Sequence, residues 1–535
     1  MKNKSQSFIQ GVLALMLSQI VVKILGMIYS LYLTNKSGFG DVGNAICFSA
    51  YQIYVIFLTI SSIGIPNSIS KIISEELAMG NTKGAKKILK VAIFIFGMFG
   101  FVCSFILYSF SDYISYEILE LEEANIILRL LAPSIFWITI TSVLRGYFNA
   151  KRKITISAKV QTLEQIFKTI ITIVLVEIIA RITNNNTELM AISSSLAIVI
   201  ASGIGFFYII ISYIKNEKNE GCEVVFSSVN YSMSIKSIFK RIMKLAIPIA
   251  ISSFLMNLST NIDSFTIMRI LKEKLGETIA KERYGILSSK VELLTMFPCA
   301  LNGSIALALI PEISRINMLR DNKKMNKNIN FSMLLTLFIC IPIMLIMSAY
   351  SYEIIELLYP NANKGGDLLN LSSYTIISLC LIQTINGILQ GIGKNDVYIK
   401  ATIIGLVIKL FLNLLLIPIN NVYEKGAIIS TFISDVVICL LLWVNMKKIL
   451  NIKFVIKRKI IKIIFSIIIS IILFYKIKIN FVIRILLTGI GYILLIFLLN
   501  VFDEDELKMF PNGDKMCVFS KKNKKIKNVK KLRNT

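Results

Sequence analysis

A chain of 535 residues with 55% hydrophobic and only 17% charged side chains is too apolar for a soluble globular protein, in which about 25% of residues are charged. The net charge of +27 does not point to nucleic acid, because the basic residues sit in short loops between apolar spans and in a Lys-rich tail, leaving no soluble module to present a basic face. Histidine is absent and the eight cysteines form no CxxC pair, which removes His-based catalysis, a disulfide framework and a metal site from the expected chemistry.

Residues 1–7 (MKNKSQS) are polar and basic, and the apolar run behind them continues to about Leu33 without a small-residue cleavage site, so a retained first span is expected. Crossing a hydrocarbon core of roughly 30 Å takes about 20 residues of helix. Runs of that kind predict spans near 8–34, 42–66, 89–111, 124–148, 155–180, 188–214, 243–270 and 284–311. Six more are expected near 329–349, 367–391, 397–419, 426–446, 460–477 and 480–501. The predicted fold is an all-α polytopic membrane protein of about fourteen transmembrane helices.

Loop charge orients these spans. The even-numbered connections carry Lys71, Lys83, Lys86 and Lys87; Arg145, Lys151, Arg152 and Lys153; Lys215, Lys218, Lys236, Lys240 and Arg241; Arg315, Arg320, Lys323, Lys324 and Lys327; and Lys447, Lys448, Lys453, Lys457, Arg458 and Lys459. The connection at 112–123 instead holds Asp112, Glu117, Glu120, Glu122 and Glu123 with no basic residue, and 351–367 is also net acidic. Because basic loops stay in the cytoplasm, both termini are expected there, in a bacterial cytoplasmic membrane.

The halves repeat. IPNSISK (Ile65 to Lys71) is predicted to end the second span and IPEISR (Ile310 to Arg315) the eighth, an offset of 310 minus 65, or 245. Arg145-Gly146 maps onto Gln390-Gly391 at the same offset. Six spans separate the copies, an even number, so the halves are expected to share one orientation about an axis along the membrane normal, with a cleft between them. The expected organisation is an N-terminal six-helix lobe (1–215), a cytoplasmic linker (216–242), a C-terminal six-helix lobe (243–448), two additional helices (449–503) and a basic cytoplasmic tail (504–535). That tail reads as a solvated topology anchor, with anionic-lipid binding as the alternative.

A charge in mid-span costs about 2.5–3.5 kcal/mol on insertion scales, so intramembrane charges mark pairs or wet cavities. Lys23 lies mid-span in the first helix, with Gln19, Gly26 and Ser30 on its face, and is read as lining a cavity; snorkelling or a pairing in the bundle is the structural alternative. Glu164 and Lys168 stand one turn apart in the fifth span, with Glu on the N-terminal side as a neutralising pair prefers. At the 245 offset they become Lys409 and Asn413, with no local acid to neutralise the lysine. The seventh span shows Ser253, Asn257, Thr260, Asn261 and Ser264 at helical spacing, with Asp263 and Arg269 toward its outer end. Such stripes join helices more often than they bind ligands. Lys290 and Glu292 add charge in the eighth span and are candidate partners for Asp263 or Arg269. No phosphate-binding glycine motif and no nucleophile–base pair is present, so no enzyme activity and no ATP-driven transport are expected; an ion gradient, the membrane potential or the substrate's own gradient must supply the drive.

Three segments are similar to the stage V sporulation protein B group of the multidrug, oligosaccharidyl-lipid and polysaccharide exporter superfamily. They are SSIGIPNSISKIISEELAMGN (Ser61 to Asn81), VLRGYFNAKRKIT followed by LEQIFK (Val143 to Lys168), and YGILSSKVELLTMFPCALNGSIALALIPEIS (Tyr284 to Ser314). The resemblance, over about residues 5–500, implies two six-helix lobes in a V-shaped alternating-access exporter with extra C-terminal helices. Relatives in that superfamily include the lipid II flippases, whose first helix carries a cation just before a Leu-Gly pair, as Lys23 precedes Leu25-Gly26 here. Tyr29-Ser30 stand where those flippases show an Arg-Asp pair, and Leu293 where they show an arginine.

The function this implies is a flippase moving a polyprenyl-pyrophosphate-linked oligosaccharide, a cell-wall or polysaccharide precursor such as lipid II, with membrane lipids as the other partner and no cofactor. Lys23, Lys168, Lys290 and Lys409 are the candidate cations for pyrophosphate, and Gln19, Ser30, Asn257 and Asn261 the candidate polar contacts. The rival is a cation-coupled multidrug exporter with Glu164 or Asp263 as its ion site, disfavoured by the surplus of lysines over acids; a non-transporting scaffold is a third reading.

Overall fold

The computed structural model describes residues 8–62, 64–151, 153–220, 234–451, 457–475, 477 and 480–507. The N-terminal MKNKSQS, the interior of the 216–242 linker with Cys222, the tail from 508 with Cys517, and the side chain of Gln19 lie outside the described residues.

Among the described residues the secondary structure is helical throughout. The long helices are α1 (Phe8–Asn35), α2 (Gly40–Ser62), α3 (Thr82–Ser109), α4 (Ala124–Ala150), α5 (Ile154–Ile182), α6 (Thr187–Glu220) and α7 (Ile235–Leu275). They continue with α8 (Glu292–Leu319), α9 (Asn322–Ala349), α10 (Gly366–Gly391), α11 (Asn395–Leu416), α12 (Tyr423–Leu450), α13 (Lys457–Tyr475) and α14 (Phe481–Leu498). Each expected span overlaps one of them, although the eighth, expected at 284–311, begins in a short helix and a π turn and runs on to Leu319. Nine, namely α2, α3, α4, α6, α9, α10, α11, α12 and α14, are long and apolar enough to cross a membrane by length and composition among the described residues. Between α7 and α8 runs a short helix, Glu277–Gly285, that passes through a π-helical turn, Ile286–Val291, into α8.

Local chemistry places the boundaries. Asn81 caps α3 by accepting from the Gly84 amide at 2.8 Å, Asp321 caps α9 through Lys324 N at 2.9 Å, and Asn480 caps α14 through Val482 N at 3.0 Å. After α2, Gly64 takes a left-handed φ of 89° and Pro66 opens a separate helix, Ile65–Ala78. IPNSISK therefore begins a helix rather than ending a span. Its repeat copy IPEISR lies inside α8, which runs on to Leu319, because Leu309 stands where the first half has Gly64 and nothing there breaks the helix.

The described helices form two compact units. The first comprises Met1–Leu293, Leu358–Lys364 and Thr402–Ser430; the second comprises Leu294–Leu357, Gly365–Ala401 and Thr431–Thr535. In the first, Ile65, Ile69, Ile72 and Ile73 pack with Ile88, Leu89, Tyr147 and Phe148. In the second, α13 and α14 dock on α9 through Ile463, Ile467 and Ile496, and the Tyr492 hydroxyl donates to the Phe338 carbonyl at 2.8 Å. Lipid tails are as apolar as these side chains, so close packing and hydrogen bonds, rather than escape from water, hold the helices together.

The internal repeat recurs in the packing. A Cβ added at Gly146, near the end of α4, would lie 2.8 Å from the Pro66 carbonyl oxygen and 3.0 Å from Ile69 Cβ. One added at Gly391, at the end of α10, would lie 2.8 Å from Ile313 Cβ and 3.1 Å from the Ile310 carbonyl oxygen. Each unit thus uses a glycine at the same repeat position to admit the same Ile-Pro segment. Gly146→Ala is expected to lower the thermal unfolding midpoint of the purified protein. Overpacking against a backbone carbonyl costs about 1–3 kcal/mol, which exceeds the gain of at most about 1 kcal/mol in helix propensity. An unchanged or higher midpoint would show that the two helices are not in register contact.

Candidate functional site

The intramembrane charges of the first unit are mostly consumed by partners on other helices. Glu164 on α5 accepts from Arg145 on α4 at 2.8 Å, with both side chains largely buried. The expected Glu164–Lys168 pair is thereby corrected. The α4–α5 hairpin turns within three residues, which brings the last turns of α4 alongside the first turns of α5 and lets a long guanidinium reach the carboxylate. Lys168 instead places its ammonium over the rings of Tyr29 at 4.8 Å and Tyr51 at 5.3 Å. That is a cation–π cage built from α1, α2 and α5. Among the described residues no carboxylate pairs with Lys168.

Lys409 is also paired, contrary to the expectation that no acid neutralises it. Its ammonium donates to Asp263 at 2.6 Å and to the carbonyl and hydroxyl of Ser259 at 2.8 and 3.0 Å. Asn413 adds bonds of 2.9 Å to Asp263 and to Thr266, so α11 is clasped to α7 by a buried charged network. Lys409 and Asp263 are 1% and 5% exposed, which leaves no face for a ligand in this arrangement.

Lys290, on the π turn, finds neither Asp263 nor Arg269. Its fully buried ammonium donates to Asp41 at 2.8 Å and to the carbonyls of Ala362 and Lys364 at 2.6 and 3.3 Å. The loop 358–364 is held there further by Asn35, which donates to the Leu358 carbonyl at 2.8 Å, and by the Lys364–Glu282 ion pair at 2.6 Å, which raises the Lys364 ammonium above its ordinary range. Arg269 reaches Glu120 at 3.5 Å. Lys281, in the short helix before the π turn, meets Glu123 at 2.6 Å and Glu277 at 2.7 Å. Burial pulls the Lys281 ammonium down, but hydrogen bonds to those two carboxylates outweigh it and leave it above its ordinary range, while the bond from Lys281 lowers Glu277.

The polar stripe of α7 joins helices. Asn257 donates to Thr59 of α2 at 2.8 Å, Asn261 to the Asn257 carbonyl at 2.9 Å, and Ser264 shares a 2.5 Å bond with Tyr284. Ser30 accepts, through its carbonyl, from Thr34 at 2.9 Å.

Lys23 stands apart. It is exposed, and among the described residues it makes no ion pair or hydrogen bond. The opposite face of α1 packs on α5, where Ser18 bonds Thr162 at 2.8 Å and Tyr32 bonds Glu177 at 3.1 Å. Exposed Ile24 and Ile28 occupy a third side. Lys23 and Ser30 therefore share a stripe distinct from the apolar face, and Gly26 beside them borders the packing face, where a Cβ would lie 3.7 Å from Gln165 of α5.

Sequence reasoning missed Arg145, Asp41 and the Tyr29–Tyr51 cage as partners. The hairpin register was a usable signal for Arg145. Asp41 is 249 residues from Lys290, and no local pattern announces such a contact.

This frame of helices is that of a multi-helix exporter, and comparison with known proteins specifies it. The chain belongs to the family described as polysaccharide biosynthesis protein, whose model matches residues 8–317. A second model, MatE, matches residues 248–415, and the expected membership of the exporter superfamily stands. The lipid II flippase MurJ of Bacillus subtilis (strain 168) is 26% identical over 445 residues, covering 80% of each chain. Stage V sporulation protein B of the same organism is 23% identical over 456 residues, covering 84% of this chain and 86% of its own. Among solved structures, lipid II flippase MurJ in an inward closed conformation matches with a TM-score of 0.69 at 19% identity, covering 90% of this chain and 97% of that one.

Charge removal tests the pairing. Arg145→Gln and Glu164→Gln should each lower membrane abundance, and the double variant should be less impaired than additivity predicts, with a coupling of about 0.5–3 kcal/mol. Glu164→Gln with Lys168→Gln should be additive. Coupling in the second cycle and none in the first would restore the helix-internal pair.

Proposed function

We propose that this chain is a flippase that moves a polyprenyl-pyrophosphate-linked oligosaccharide across the bacterial cytoplasmic membrane by alternating access, with the lobes 1–215 and 243–448 as its working halves and both termini in the cytoplasm. The observation that carries the reading is the state of the four candidate lysines. Lys290 and Lys409 are locked in buried ion pairs. Lys23 and Lys168 have no counter-ion among the described residues. Both cations belong to the α1–α5 pair, Lys23 on the exposed stripe of α1 and Lys168 in the cage of α5, and each is a charge that a diphosphate would neutralise. The family, and relatives named as a lipid II flippase and a sporulation protein, support a lipid-linked glycan. The polar groups Gln19 and Ser30 on the Lys23 stripe are proposed sugar contacts.

The rival ion-coupled drug exporter draws on the MatE match. It loses ground because both acids it would use already hold fixed cations, Glu164 with Arg145 and Asp263 with Lys409. In liposomes the purified protein should move labelled polyprenyl-pyrophosphate sugars and not a cationic dye. Lys23→Ala should abolish that movement at near-normal membrane abundance, since no buried partner is stranded, and Lys23→Arg should keep part of it. Normal flipping by well-expressed Lys23→Ala protein would remove Lys23 from the site; dye transport alone would favour the rival.

Orientation is tested separately. Cysteines placed at exposed Met79 and Met318 should label from the cytoplasmic side only, and one at exposed Glu117 from outside. Labelling of the Glu117 position from the cytoplasm would reverse the assignment.

A further inference from the structure

The first unit carries a second feature aimed at lipid. A cavity of about 460 Å³ opens between α3, α7 and the Ile65–Ala78 helix, and every side chain lining it is apolar, including Phe96, Phe99, Phe239, Met243, Ile247 and Phe254. Phe99, Phe239 and Ile247 are 41%, 43% and 44% exposed, so the trough is open along its side. Its volume suits one acyl chain and is far too small for a whole polyprenyl tail.

Along the same part of α7, Lys236, Lys240 and Lys244 recur every four residues, all exposed and, among the described residues, all without an ion pair or hydrogen bond. At 3.6 residues per turn they fall on the side of α7 that also carries Ile247, Ile251 and Phe254. Lys236 stands just before Phe239, the first lining residue of α7, and Lys240 and Lys244 lie beside the N-terminal half of the trough. Arg241, on another side of the helix, is by contrast held by Glu75 and Glu76. Lys236, in the first turn, opposes the helix dipole, which favours a bound anion at that end over an empty surface.

We propose that this face is a binding site for an anionic phospholipid, with one acyl chain in the trough and the phosphate headgroup on Lys236, Lys240 and Lys244. The occupant is a resident lipid, distinct from the transported substrate, and the site does not depend on the flippase reading. Each lysine near an anionic headgroup contributes about fivefold in affinity, and the three together about a hundredfold.

Phe239→Trp places a fluorescent reporter in the trough, and the full-length protein reconstituted with brominated lipids reads occupancy by quenching. Brominated phosphatidylglycerol should quench it at a far lower mole fraction than brominated phosphatidylcholine. Changing Lys236, Lys240 and Lys244 together to Gln should abolish that preference, changing them to Arg should keep it, and Ala250→Phe should weaken quenching by both lipids by filling the trough. Native mass spectrometry of the unmodified chain should show phosphatidylglycerol retained and lost in the Gln variant. Equal quenching by the two lipids, or a preference surviving the Gln changes, overturns the site. Displacement of the brominated lipid by stoichiometric undecaprenyl pyrophosphate overturns the assigned occupant.

Discussion

A charge inside a hydrocarbon layer must meet an opposite charge, water or a ligand, and the first unit is arranged around that requirement. Arg145–Glu164 ties α4 to α5, Lys409–Asp263 ties α7 to α11, and Lys290–Asp41 ties the π turn before α8 to the start of α2. Removing one member of a buried pair strands the other at a cost of about 3–5 kcal/mol, so these contacts set which helices stay together more than they set net stability. What remains is a short residue of uncompensated charge. Lys23 and Lys168, both on the α1–α5 pair, have no carboxylate partner among the described residues, and they are the cations of the proposed site.

The duplicated frame makes this asymmetry visible. Ser18 and Asp263 are equivalent at the 245 offset, and each joins the first helix of its half to the fifth. In the first half the joint is neutral, a hydroxyl meeting Thr162 and the Ala158 carbonyl at 2.8 and 3.0 Å. In the second half the same joint is an ion pair reinforced by Asn413. The same joint is thus made with a hydroxyl in one copy of the frame and with a charge pair in the other.

Alternating transport requires helices that move while their charges stay compensated. Multi-centre contacts resist sliding, and Lys409 and Asn413 together hold Asp263 and so clasp α11 to α7. The cage around Lys168 is softer, because the attraction of an ammonium to a ring face falls off gently with displacement. The α1–α5 pair carries this softer contact beside the Ser18–Thr162 bond and the Lys36–Glu177 ion pair.

The helical architecture, the span positions and the repeat were all readable along the chain, because a run of apolar residues as long as the bilayer is thick has one stable conformation and the offset of 245 is a matter of counting. The identity of the unusual charges was equally plain: Lys23, Glu164, Asp263, Lys290 and Lys409 stand out against their apolar surroundings. Their partners did not. Glu164 and Lys168 are a favourable local pair on paper, yet each turns to a different helix, and Lys290 meets an acid 249 positions away. Even the break after α2 follows from Gly64, whereas its fate in the repeat copy followed from a leucine at the equivalent place. Helix formation is governed by neighbours three or four residues apart, while charge compensation is governed by whichever oppositely charged or aromatic group the packing of distant helices brings within about 3–6 Å, and that distance is not encoded in any local pattern.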